Sequence, residues 1–212
     1  MLFASAAVLM AGCEKENGGN GHGGGSNANI PSSITVNVGQ TYNLGSTQSW
    51  SSSSESVATV SSNGTVTGKH VGNCRVSSSA GNCNVTVRAT INLFSDPYTQ
   101  WGASKSQVIA YQGSNYQETS SGDLAYDTGN EIAPNVGYVF QNGGLKAVMV
   151  VVKTAYVSQV VNHLSQRYRY LGIDGGVHYF ANGNSSSDAT TAVQFKSYNS
   201  NYWQALYFPY TH

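Results

Sequence analysis

Side chains able to do acid–base or metal chemistry are few in this chain and poorly placed for it. Asp127 and Glu131 lie in a short polar stretch, but Ca²⁺ loops carry oxygen ligands at every second position, so we expect a solvated turn there. His163 and His178 have no companion at metal-ligand spacing, and His22 is alone among glycines. No Ser-His-Asp or Cys-His arrangement is recognisable. We therefore expect a protein that is not an enzyme, with no catalytic residues, metal or cofactor.

Aromatic side chains give a stronger chemical signal. Rings interspersed with neutral Asn, Gln and Ser suit sugars, because sugar C–H faces stack on rings and hydroxyls need uncharged partners. The segment 202–208 is apolar on both faces, so one face must pack under helices and the other is either covered or an exposed aromatic platform. Tyrosine on an open sheet face is also ordinary strand composition, and both explanations stay open. The candidate ligand-binding residues are Trp101, Tyr198, Tyr202, Trp203 and Tyr207.

Asp127-Thr128-Gly129 resembles the Asp-Thr-Gly signature of aspartic proteases, and 170–172 resembles their later apolar-apolar-Gly element. That chemistry needs two carboxylates sharing one proton. The chain has one such triplet, and Asn130 replaces the usual Ser or Ala, so an aspartic-type hydrolase would require a dimer. A strand that ends in a turn is the expected structure, and the hydrolase is a remote alternative.

The first thirteen residues form a short apolar run that ends in Leu9-Met10-Ala11-Gly12-Cys13. The run is too short to span a bilayer but fits the apolar core of a secretory signal. Its end resembles the lipobox of bacterial lipoproteins, in which the cysteine is acylated and becomes the new N-terminus. The resemblance implies a signal peptide over 1–13, a lipid on Cys13 and a membrane as partner.

Residues 14–29 are rich in glycine, which predicts a flexible tether. The acidic Glu14 and Glu16 resemble the export tags of Bacteroidetes surface lipoproteins, and this implies an exported protein on the outer membrane or cell surface. Of 212 residues only 10 are Lys or Arg and 10 are Asp or Glu, so the net charge is zero and nucleic acid is not expected as a partner.

Residues 30–90 read as short strands between Ser, Asn and Gly turns, a pattern typical of a β-sandwich. Asn63-Gly64 is a hairpin signal. The run Ser56-Val-Ala-Thr-Val-Ser-Ser-Asn-Gly-Thr-Val-Thr-Gly68, with 38–44 before it and 83–87 after it, resembles the group 2 bacterial immunoglobulin-like domain. The resemblance implies a sandwich used in adhesins and as a spacer in surface proteins, without catalytic residues.

Specific predictions can be made for three side chains of this segment, those of Trp50, Cys74 and Cys83. Trp50 is expected to fill the sandwich core. If Ala80-Gly81 is a two-residue turn, Cys74 and Cys83 share a face but lie four residues apart along the ladder, too far for a disulfide. Buried free thiols are expected, and a disulfide stays open if the hairpin is bulged or longer.

Residues 91–212 have helical as well as strand patterns. Ser104 and Gln107 form a capping-box pair before a short helix that ends near Gly113. A second helix is predicted from Thr154 to Gly172 by an apolar stripe that includes Leu164 and Leu171, with His163 off that stripe. The remaining patterns predict strands near 115–119, 123–127, 136–141, 145–153, 177–181, 190–198 and 202–208.

The predicted fold class is multidomain: an all-β Ig-like sandwich at 30–90 and an α+β domain at 91–212. In the latter, two helix-plus-meander halves are expected to join in one antiparallel sheet under two helices. This order resembles BamE-like envelope proteins, TATA-binding-protein-like domains and an uncharacterised domain of Bacteroidetes lipoproteins. The predicted function is non-catalytic binding or adhesion at the cell surface, to a glycan or a host protein. The alternative is a structural component of the envelope that pairs with another protein.

Overall fold

A computed structural model describes residues 30–45 and 49–211. The predicted signal peptide 1–13 with Cys13 and the predicted tether 14–29 lie outside these residues. The described chain is mostly β, with fifteen strands and two short α-helices. Its buried apolar residues form two clusters, one within residues 34–87 and one within residues 94–207. We call these regions the N-terminal part and the C-terminal part.

The N-terminal part consists of two sheets. The first has the order β1-β7-β6-β3 and the second the order β2-β5-β4. β1 lies parallel to β7, while the remaining neighbours are antiparallel. The strands are β1 (Ser33–Asn37), β2 (Thr41–Asn43), β3 (Ser51–Ser52), β4 (Ala58–Val60), β5 (Thr65–Gly68), β6 (Gly72–Ser78) and β7 (Gly81–Arg88).

The core between these sheets follows from alternation along the strands. In β7, Cys83, Val85 and Val87 point inward and the polar residues between them are more exposed. The half-buried Trp50 packs against this core, in agreement with its predicted role. Gly64 has φ +80° in the turn between β4 and β5, which confirms the hairpin predicted at Asn63-Gly64.

The two cysteines are free and buried, as expected, but the predicted register is wrong. Ser78 pairs with Gly81, so the turn consists of Ser79 and Ala80 instead of Ala80 and Gly81. Cys74 therefore lies opposite Val85, and the cysteines are two ladder positions apart instead of four. A diagonal pair of this kind has about 7–8 Å between Cα atoms, beyond disulfide reach.

The C-terminal part carries one eight-stranded antiparallel sheet of order β12-β13-β14-β15-β11-β10-β9-β8. Each helix precedes four consecutive strands, and the last strand of each half, β11 or β15, pairs with the other at the centre of the sheet. The first half is α1 (Lys105–Gln112), β8 (Gln117–Glu118), β9 (Leu124–Asp127), β10 (Asn135–Gln141) and β11 (Gly144–Lys153). The second half is α2 (Val157–Ser165), β12 (Arg169–Asp174), β13 (Val177–Ala181), β14 (Thr191–Ser197) and β15 (Tyr202–Pro209).

Helix α1 begins and ends as its sequence predicts. The Ser104 side chain accepts a hydrogen bond from the Gln107 N–H, and the Gln107 side chain accepts one from the Ser104 N–H. Gly113 follows the last helical residue with φ +104°. The helix buries Val108 in the core of the C-terminal part.

Helix α2 is much shorter than predicted. It ends at Ser165, and Arg169–Asp174 form strand β12 instead of two further helical turns. Thr154 does not cap it, because residues 154–156 form a 3₁₀ turn ahead of the helix. Gly175 and Gly176 have φ +53° and +79°, the geometry of a two-residue hairpin turn, and they fold β12 back onto β13.

The shorter helix places His163 differently from the prediction. Its side chain is fully buried in the core instead of lying off the apolar face of the helix. The ring stacks on Phe94 with centroids 4.2 Å apart, and Nδ1 lies 3.3 Å from the Leu93 N–H that donates to it. His163 is therefore a core residue that holds the segment after the N-terminal part against α2.

Candidate functional site

Alternation along the central strands gives the eight-stranded sheet two different faces. Val148, Val150 and Val152 of β11 are buried under the helices, while Met149 and Val151 between them are half-buried. β15 follows the same rule, with Ala205 and Tyr207 buried and Leu206 and Phe208 half-buried. We call the second face, which the helices do not cover, the open face.

One row of cross-strand partners runs across the open face through six strands. Its members are Gly137, Met149, Leu206, Gln194, Tyr179 and Gly172, each paired with the next. All six are half-buried, which is what a sheet face in contact with solvent produces. The centre of the row is apolar, and its β13 end combines an aromatic ring with an amide.

A cavity of about 460 Å³ lies at the β13 end of the open face. Its lining includes the aromatic side chains of Tyr179, Phe208, Tyr210 and the buried Phe180, together with Ala192 and Gly172. Gly172 pairs with Tyr179 across the strands, and a Cβ at position 172 would meet no atom within 4 Å. Open space therefore lies beside the Tyr179 ring, where a flat apolar surface can stack.

Polar groups on the same face are both neutral and charged, and the carboxylate of Asp174 lines the cavity itself. Gln204 on β15 and Gln194 on β14 lie diagonally across this strand pair, since Gln204 pairs with Lys196 and Gln194 pairs with Leu206. Lys153 lies opposite Tyr202, and Lys196 lies opposite Gln204. Both lysines are therefore near the start of β15, whereas the cavity lies near its end. Rings beside amide groups can hold a ligand that has both C–H faces and hydroxyls.

The structure separates the five aromatic residues predicted as a ligand site. Tyr202 lies on the open face, and Tyr198 is 57% exposed in the turn before β15. Tyr207 is only 1% exposed in the core, with its ring 5.9 Å from that of Tyr168, so its assignment to a ligand surface is wrong. The reason is the strand period of two, which turns Tyr207 towards the helices.

Trp203 and Trp101 also belong to the side of the sheet under the helices. The Trp203 ring packs 5.0 Å from Phe195, and the half-buried Trp101 donates its indole N–H to Thr191 Oγ1 at 3.0 Å. Both rings are engaged within the fold, so neither extends the open face. The half-buried aromatic side chains at the open-face cavity are instead those of Tyr179, Phe208 and Tyr210. Alternation along 177–181 and 202–208 is the sequence signal for the first two.

The Asp127-Thr128-Gly129 motif forms a hydrogen-bonded turn. Asp127 Oδ1 accepts from the Gly129 N–H at 2.9 Å, and Thr128 Oγ1 donates to the Ala133 carbonyl at 2.6 Å. Asn130 Oδ1 accepts from the N–H groups of residues 132 and 133, so this side chain stabilises the turn. Among the described residues, no group of three or more His, Cys, Asp or Glu side chains could hold a metal ion.

Comparison with known proteins identifies one part of the chain. Residues 30–91 match the family model of the bacterial Ig-like domain, group 2. Domains of this family occur in extracellular bacterial proteins and are typical of surface or adhesion-type modules. No curated protein matches the chain. Within residues 30–45 and 49–211, no helix has the length and apolar character needed to cross a membrane.

Proposed function

We propose that this protein is a lipid-anchored binding module of the bacterial cell surface, with its ligand on the open face of the C-terminal sheet. The proposal assigns residues 30–90 to a spacer domain and residues 91–212 to a separate α+β binding domain. The separate core clusters of the two parts support that division. The match to a surface-type Ig-like family supports the location.

One observation carries the choice of ligand: the aromatic cavity beside Gln194 on a face that no described helix covers. Carbohydrate chains present apolar C–H faces and neutral hydroxyls, which rings and amides bind without charge. A cavity of about 460 Å³ falls in the usual range for small ligands. The proposed ligand is therefore a neutral glycan, either free or carried by a host protein.

A polysaccharide and glycoprotein array with the purified protein tests this proposal. Tyr179→Ala and Phe208→Ala each remove one ring of the cavity, and we expect each to weaken binding by about five- to 150-fold, since such a ring contributes about 1–3 kcal/mol. The matched control is Tyr42→Ala, which removes a tyrosine that is 41% exposed on the N-terminal part. Binding that is equal in all four proteins would place the ligand elsewhere.

A second candidate function is assembly with another envelope protein. The apolar centre of the open face supports it, because Met149, Leu206 and Val151 are neighbours there. In that case Leu206→Asp should abolish cross-linking to a partner in living cells, while glycan arrays remain negative for the unmodified protein. A glycan hit that survives Leu206→Asp would favour the first candidate.

A further inference from the structure

A second cavity of about 290 Å³ lies on the helix-covered side of the sheet, separate from the open face. Its floor consists of buried side chains of the sheet, among them Val136, Tyr126 and Tyr138. Its rim consists of polar residues at the end of α1 and beyond, including the half-buried Gln112 and the exposed Asn115. A buried floor under a polar rim is the usual form of a small-ligand pocket.

The two floor tyrosines have very different hydrogen bonding. Tyr138 Oη donates to Gln112 Oε1 at 2.8 Å and accepts from the Tyr98 N–H at 3.3 Å. Tyr126 is 3% exposed, and its buried hydroxyl has no partner among the described residues. A buried hydroxyl without a partner costs about 1–3 kcal/mol, so it needs an explanation.

The fold holds the Tyr126 hydroxyl in place. Its ring packs edge-on against that of Tyr138, with centroids 5.8 Å apart, and a tilted Tyr116 ring lies 5.8 Å away on another side. Backbone pairing of Tyr126 with Val136 fixes the residue in β9. A donor that is fixed before binding loses little entropy when a ligand arrives, which favours its use for recognition.

The lining determines which ligand fits. Among the described residues that line the cavity there is no Lys, Arg or His, and the one carboxylate, Asp127, accepts from the Gly129 N–H. Phe94 adds a ring, while Ser95 and Asn115 add neutral polar groups. These groups suit a neutral molecule with several hydroxyls and one apolar face. The volume is at the small end for ligand pockets, so it suits one sugar ring and not a chain.

We propose that this cavity binds a single neutral pyranose unit, with the Tyr126 hydroxyl hydrogen-bonded to one of its oxygens. The site is independent of the glycan surface proposed above, because the two cavities share no lining residue. A sugar held here would also touch α1 and the segment 94–97, which no open-face ligand reaches.

Saturation-transfer NMR of the full chain with a panel of neutral monosaccharides tests the site, followed by titration calorimetry on any sugar that binds. We expect at least one binder, and we expect Tyr126→Phe to weaken it about tenfold, the effect of one lost hydrogen bond. Tyr116→Phe is the matched control: it removes a hydroxyl from a neighbouring ring that does not line the cavity, and it should leave affinity unchanged. Tyr179→Ala should also leave it unchanged, which separates this site from the open face.

Stability of the unliganded protein gives a second readout. If the Tyr126 hydroxyl is unpartnered without ligand, Tyr126→Phe should unfold at the same or a higher urea midpoint than the original protein. A lower midpoint would mean that the hydroxyl already has a partner, such as a fixed water, and would overturn the proposal. A panel without a binder, or a binder indifferent to Tyr126→Phe, would overturn it as well.

Discussion

His163 shows how one residue can make stability depend on pH. Burial, together with the Arg167 guanidinium, lowers the pKa of its imidazole to about 3. Nε2 is buried without a hydrogen-bond partner among the described residues and lies 4.0 Å from Asp96 Oδ1. Because the pKa falls on folding, the native state favours the neutral ring, and its contribution to stability is full above the unfolded pKa near 6.5.

We therefore predict that the free energy of unfolding falls by about 2 kcal/mol between pH 7 and pH 5 through His163, and continues to fall towards pH 3. The reason is that the unfolded chain takes up the proton that the native core excludes. Urea unfolding of the original protein and of His163→Gln measures this. The variant should lose that part of the slope, whatever its stability at pH 7. Leu164→Ala, which disturbs the same helix without removing a titrating group, should keep the slope, and an unchanged slope in His163→Gln would contradict the prediction.

Trp50 tests the core of the N-terminal part. Its ring packs against that core, but its indole N–H is buried without a partner among the described residues. Trp50→Ala should destabilise the protein by about 3–5 kcal/mol, because it leaves a large void. Trp50→Phe keeps a ring and removes the unpartnered N–H, so it should cost much less. A loss below about 1 kcal/mol in the alanine variant, measured by urea unfolding, would mean that the ring is on the surface.

At the scale of elements, the C-terminus of α2 holds the segment that joins the two parts. Gln166 Oε1 accepts from the N–H groups of Thr90 and Ile91 at 2.8 and 3.2 Å. The next residue, Arg167, donates from Nε to Asp96 at 2.5 Å and from Nη2 to Asn92 at 2.8 Å. Two adjacent side chains thus fix residues 90–96 against the helix.

We predict that Gln166→Ala increases hydrogen exchange at the amides of Thr90 and Ile91, because both lose their acceptor. Val71 supplies an internal control, since its N–H donates to the Gln166 main-chain carbonyl at 2.8 Å and this oxygen remains in the variant. Gln204→Ala is the control variant, as it removes a half-buried glutamine from the open face. Equal exchange at residues 90 and 91 in the two variants would show that the side chain does not hold the segment.

The elements also show how far the sequence predicts this fold. Local signals are sufficient where the turn chemistry is complete, as in the capping box of Ser104 or the Asn63-Gly64 hairpin, where Gly64 has a positive φ. They failed at 166–174, because apolar residues spaced three and four apart fit a helix while the real determinant is the Gly175-Gly176 turn that pairs β12 with β13. Pairing with β13 determines the strand conformation of this segment, and the spacing of apolar residues within the segment does not reveal that pairing.

The candidate sites were less predictable than the elements. Alternation along 202–208 puts Tyr202 and Phe208 on one face and Tyr207 on the other, but only the full order of the sheet shows which face the helices cover. The unpartnered Tyr126 hydroxyl has no sequence signal, because it depends on the distances to all of its neighbours. The sequence thus limits the set of candidate ligand-binding residues, and the packing of the fold determines which of them are exposed.

At the scale of the whole molecule, the two halves of the C-terminal part determine where its two cavities lie. Each half contributes its last strand to the centre of the sheet, so the broadest part of the open face lies over β11 and β15. The aromatic cavity lies over the second half, and the Tyr126 cavity lies under the first. The two halves have the same order of elements, but each carries its cavity on a different side of the common sheet.

The surface location proposed for the molecule depends on Cys13. Cys13→Ala removes the thiol that a lipid would occupy, so we predict that the variant moves from the membrane fraction to the soluble fraction and no longer incorporates labelled palmitate. The matched control is Cys74→Ala, which removes a buried free thiol of the N-terminal part and should leave partitioning unchanged. A single acyl chain binds membranes only weakly, and stable anchoring takes more than one. Unchanged membrane association of Cys13→Ala would therefore mean that protein contacts hold the chain there, and the apolar centre of the open face would become the surface to test.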